Sequence, residues 1–86
     1  MVQVEWSRRA NKQLKAIDSR YQKAIWNKVS QLTAFPDVSL DLKKLEASGK
    51  TYRLRVGDFR VIFEIIDGVP TVCMVLEVKR RTSTTY

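Results

Sequence analysis

The chain is 86 residues long, 44% hydrophobic and 29% charged, with 16 Lys and Arg against 9 Asp and Glu and a formal net charge of +7. This is ordinary globular composition for one domain, residues 1–86, large enough to bury a core without metal or disulfide. The absence of His and the single Cys exclude zinc sites, Ser-His-Asp and Cys-His mechanisms and His-based ribonuclease chemistry, while the surplus of positive charge implies a polyanionic partner.

Val2, Val4 and Trp6 alternate with Gln3 and Glu5, which predicts a short strand with one apolar face. Ser7 then caps a helix in which Ala10, Leu14 and Ile17 recur at helical spacing among Arg8, Arg9, Lys12 and Lys15. Asp18-Ser19 interrupts it. Ser19 and Gln22 have capping-box spacing, so a second helix begins there, with Tyr21, Ile25, Val29 and Leu32 as its stripe and Trp26 beside it, until Phe35-Pro36. Two helices joined by a tight turn predict an antiparallel hairpin, and their narrow stripes are expected to cover a sheet rather than a membrane surface. No apolar stretch approaches the roughly 20 residues a spanning helix needs, and the start of the chain lacks a signal-peptide core, so a cytoplasmic protein is expected.

Residues 37–50 form a polar connector of unassigned form, with leucines at 40, 42 and 45 and a turn at Ser48-Gly49. Three strands follow. Thr51–Val56 ends at Gly57-Asp58, Phe59–Ile66 ends at the hairpin signal Asp67-Gly68, and Pro70–Val78 closes the sheet. The order β-α-α-β-β-β predicts an α+β domain, an antiparallel sheet packed on one face by the helix hairpin. Cys73 lies in an apolar run and is expected in the core.

Alternation assigns the faces. Tyr52, Leu54, Val56, Val61, Phe63 and Ile65 should meet the helices, while Arg53, Arg55 and Arg60 should project together from the helix-free face. Lys79, Arg80 and Arg81 end the adjoining strand. A planar guanidinium can hold two phosphate oxygens and stays charged, so converging arginines suit a developing anionic transition state. Metal-free RNA cleavage by the 2′-hydroxyl also requires a proton acceptor, which arginine cannot be. Tyr86 is one candidate, although a phenol of reference pKa about 10 is ionised roughly one part in a thousand at pH 7 unless cations depress it.

Tyr-Arg-Leu-Arg at 52–55, Phe-Arg-Val-Ile-Phe at 59–63, Val-Lys-Arg-Arg at 78–81 and the terminal Tyr86, in this order after the two helices, resemble the RelE family of bacterial toxins within the RelE/ParE superfamily. The resemblance implies a metal-independent, cofactor-free endoribonuclease of a bacterial type II toxin-antitoxin system. Such an enzyme cuts mRNA in the ribosomal A site beside 16S rRNA and is neutralised by a cognate acidic antitoxin. By position it implies phosphate contact and proton transfer for Arg53 and Arg55, transition-state stabilisation for Arg60, a leaving-group role for Arg80, and stacking or activation of the nucleotide for Tyr86. Lys50, Lys79 and Arg81 are expected to contact RNA nearby. In the family the positions of Arg53 and Arg55 are often lysine, and in a differently arranged relative Glu46 would act as the base. ParE-like relatives, which inhibit DNA gyrase without nuclease activity, generally lack this set and define the alternative.

Overall fold

The sequence periods translate into elements with few exceptions in a computed structural model, which describes residues 2–45 and 49–80. Strand β1 (Gln3–Trp6) runs into helix α1 (Arg8–Lys15), helix α2 (Ser19–Ser30) and a 3-10 turn (Gln31–Ala34). Strands β2 (Leu42–Lys44), β3 (Thr51–Val56), β4 (Phe59–Ile66) and β5 (Val72–Arg80) complete the chain. The α+β class and the predicted element order hold, with β2 added inside the connector.

The sheet has the order β1-β5-β4-β3-β2, so β1 and β2 are opposite edges. It is mixed rather than antiparallel, because β1 pairs with β5 in parallel. The helix hairpin carries the chain across one face from β1 to β2. The three hairpin reversals that follow leave β5 pointing the same way as β1. Between β3 and β4, Val56 pairs with Phe59 around Gly57-Asp58, and Gly57 has φ +57. Only glycine adopts that conformation without cost, and a two-residue turn of this kind follows the native strand twist.

Each helix has a specific start. Ser7 is the α1 cap; its Oγ accepts from Ala10 N at 3.0 Å and donates to the Leu76 carbonyl at 3.1 Å. The second helix is capped by Asp18, one residue before the predicted Ser19, because the Asp18 carboxylate accepts from Arg20 N at 2.9 Å. That backbone bond, with the Arg20 side chain, holds the Asp18 carboxyl below its usual range. Gln22 does reach back, but to the Ile17 carbonyl at 2.6 Å. Since Ser7 supports both a helix start and a strand, Ser7→Ala is expected to lower stability by about 1–2 kcal/mol. An unchanged urea midpoint would refute this.

The core lies between helices and sheet, where Ile25, Val29 and Leu32 meet Leu54, Val61 and Phe63, all essentially inaccessible. Phe63 stacks on Tyr52 at 5.4 Å and meets the edge of Phe35 at 6.1 Å. Trp6 and Trp26 stack at 5.6 Å, which ties α2 to the β1 edge. Cys73 is fully buried, and desolvation pushes its thiol up to about 12. Among the described residues no helix is long and apolar enough to cross a membrane.

Candidate nucleic-acid site on the helix-free face

Strand pairing sets the arrangement of charge on the open face. Arg55 of β3 stands directly opposite Arg60 of β4, and Arg60 stands opposite Lys79 of β5. One row of three cations therefore crosses three adjacent strands. The next row runs Lys43, Arg53, Ile62, Glu77 across β2 to β5. Residues directly opposite lie about 4.5–5.5 Å apart at Cβ, so the cationic side chains are within reach of one another.

Like charges placed opposite each other weaken a sheet, so this row is a local cost. Among the described residues neither Arg55 nor Arg60 has an ion-pair partner, and both are exposed. Lys79 Nζ lies 3.3 Å from Glu77. Arg53 is the most covered member, with its side chain 25% exposed and 3.9 Å from Asp41. Its Nε is buried without a hydrogen-bond partner among the described residues. An unpaired buried donor and two unneutralised guanidinium groups are what a site for an incoming anion requires.

The predicted grouping of Arg53, Arg55 and Arg60 is met, and Lys79 joins it. Arg80 does not. It pairs with Phe59, a core-facing residue, and its guanidinium lies 5.7 Å from the Phe59 ring centre on the helix side of the sheet. There it lines a groove of about 390 Å³ with Gln13, Ile17, Asp18 and Tyr21. The cause is a β-bulge between Ile62 and Phe63. Phe63 pairs with Val75 but Ile62 with Glu77, which leaves Leu76 as the extra residue. The parity of β5 reverses there, so Val75 and Val78 are both buried, Lys79 turns to the open face and Arg80 turns away.

Lys50 is also apart from the cluster. It is ion-paired with Asp67 at the start of β3, roughly 17 Å along the strand from Arg55. Arg81, Tyr86 and Glu46 lie outside the described residues. Glu77 was absent from the sequence-derived candidates. Its signal was the broken alternation Val75-Leu76-Glu77-Val78, masked by the continuous apolar run from 72 to 76.

Comparison with known proteins places this geometry in context. Residues 4–84 match the family described as the ParE toxin of type II toxin-antitoxin systems, parDE. No curated protein matches the chain. A chain of the archaeal RelE-RelB complex from Pyrococcus horikoshii OT3 is 25% identical and has a TM-score of 0.78, covering 96% of this chain and 98% of that one. The isolated E. coli RelE toxin has a TM-score of 0.80 at 17% identity over 98% of this chain and 88% of its own. A chain of the RelBE2 toxin-antitoxin complex of Mycobacterium tuberculosis has a TM-score of 0.75 at 23% identity over 93% and 98%.

Proposed function

The chain belongs to the ParE toxin family of type II toxin-antitoxin systems, and from that premise we propose that this toxin is an endoribonuclease which cuts mRNA in the ribosomal A site. The observation that carries the reading is the row Arg55, Arg60, Lys79, three cations held side by side with no counter-charge on the arginines among the described residues. A surface meant only for solubility gains nothing from opposing guanidinium groups, whereas a phosphate gains a preorganised clamp. Arg55 and Arg60 hold the scissile phosphate, Arg53 backs them, and Tyr86 stacks on the nucleotide. Arg80, on the helix side of the sheet, has no part in holding the phosphate in this reading. Neither metal nor cofactor takes part in this reading; Lys50 contacts RNA away from the reacting phosphate, and Arg81 is a further RNA contact.

The same positive face suits an acidic antitoxin, which would exclude RNA while bound. The RelE-RelB and RelBE2 complexes among the structural relatives support such a partner. The reading is tested by incubating the purified toxin with programmed ribosomes and mapping mRNA ends. Cuts confined to the A-site codon are expected, and intact mRNA at every codon would sink the proposal.

Inhibition of DNA gyrase without nuclease chemistry is the second reading, and the observation favouring it is that the matching family is that of ParE toxins. It predicts trapped, cleaved DNA in a gyrase assay and no effect of Arg60→Ala on toxicity.

A further inference from the structure

Resting on the nuclease reading, we infer that Glu77 is the proton acceptor the cationic row lacks. A 2′-hydroxyl must lose its proton as it attacks the adjacent phosphate, and guanidinium and ammonium groups have no acceptor. Glu77 supplies a carboxylate on the same face. It lies two residues from Lys79 and diagonal to Arg60, at a separation of about 7–8 Å that long side chains span.

Its placement depends on the bulge. With unbroken alternation Glu77 would follow Cys73 and Val75 into the core; Leu76 as the extra residue turns it to the open face. Helix α1 holds the bulge on both sides. Ser7 N donates to the Val75 carbonyl at 2.9 Å, Ser7 Oγ donates to the Leu76 carbonyl, and Val78 N donates to Gln13 Oε1 at 2.7 Å. These bonds satisfy backbone groups left free where β1 ends at Trp6. Bulges of this kind recur next to active sites, where they re-aim a side chain.

The Glu77 side chain is 20% exposed, with Oε2 3.3 Å from Lys79 and 3.6 Å from Arg9. Those two cations fix the carboxylate in place. Two other carboxylates are less well set: Asp41 lies in a connector with its side chain 58% exposed, and Glu64 is four residues along β4 from Arg60, roughly 13 Å away.

In the step itself the Glu77 carboxylate takes the 2′-hydroxyl proton while the 2′-oxygen bonds to phosphorus. The bond from phosphorus to the 5′-oxygen breaks, and that oxygen takes a proton from water. The products are a 2′,3′-cyclic phosphate and a 5′-hydroxyl, and Glu77 returns its proton to solvent. Arg60 and Arg55 neutralise the charge that builds on the phosphate oxygens.

Among the described residues the charged groups facing Glu77 are Arg9 from α1, Lys79 from its own strand, and Arg60 and Glu64 flanking Ile62 on β4. Single-turnover cleavage on programmed ribosomes, followed across acidic to neutral pH, tests the assignment. Glu77→Gln is expected to slow cutting about 100-fold and to flatten the acidic limb of the profile. Glu77→Asp should keep the limb at a reduced rate, which a purely structural role of the carboxylate would not predict. Wild-type rate and limb in Glu77→Gln would overturn the inference, as would loss of the limb in Asp41→Asn instead. Intact mRNA with the wild-type toxin would overturn the nuclease reading and this inference together, whereas full cutting by Glu77→Gln overturns the inference alone.

Discussion

Arg60→Ala is expected to reduce A-site cleavage by about 100- to 1000-fold, the usual cost of removing one preorganised donor from a developing oxyanion. Arg60 is the centre of the row, opposite both Arg55 and Lys79, so no neighbour can occupy the same position. Its side chain is exposed and has no ion-pair partner among the described residues. The substitution also relieves the repulsion with Arg55, so the melting temperature should hold or rise slightly. Loss of cleavage with stability retained separates a role in catalysis from a role in folding. Arg60→Lys sharpens the test, since it keeps the charge but loses the two-pronged geometry and should recover only part of the rate. Undiminished cleavage by Arg60→Ala would remove the phosphate clamp from consideration.

Phe63→Ala is expected to cost about 3–5 kcal/mol, a large share of the margin of a small domain whose stability is on the order of 5–15 kcal/mol. Phe63 is fully buried and joins three parts of the fold through Tyr52 on β3, Phe35 after the 3-10 turn, and Val75 across the bulge on β5. Its loss leaves a cavity beside the place where β5 changes parity, so the site and the core should fail together. The urea midpoint should fall sharply at unchanged slope. Ile66→Ala, on the same strand but exposed, serves as the control and should stay within about 0.5 kcal/mol. Equal effects of the two substitutions would mean that the core is not organised around Phe63.

The two substitutions address two faces of one strand. In β4 the residues Phe59, Val61, Phe63 and Ile65 are buried, and Arg60 lies between them on the opposite side. A one-residue slip of β4 would therefore bury Arg60 and expose Phe63. The core penalty against such a slip is what keeps the opposing cations in register. The energy that stabilises the fold thus also maintains a charge arrangement that is unfavourable in the free protein.

Much of this was legible in the chain because local rules govern it. Helical spacing marked α1 and α2, glycine chemistry marked the β3–β4 turn, and simple alternation assigned Leu54, Val61 and Phe63 inward and Arg53, Arg55 and Arg60 outward. The misses were non-local. Strand β2 is only three residues, Leu-Lys-Lys, and has no pattern of its own; it exists because β3 offers an open edge to pair with. The parallel pairing of β1 with β5 depends on the path of the helix hairpin across the sheet, which periodicity does not report.

For the site the division falls at Leu76. The sequence alone determined that arginines on β3 and β4 share a face, because side chains alternate on a regular strand and one face must be apolar. Only the tertiary structure decided which residues of β5 join them. Because β1 ends at Trp6, the Val75, Leu76 and Val78 backbone groups are left to be satisfied by Ser7 and Gln13, and this stabilises one extra residue in the strand. That insertion exchanges Arg80 for Lys79 on the open face and sets Glu77 beside the cations, an outcome fixed by hydrogen bonds between residues more than sixty positions apart in the chain.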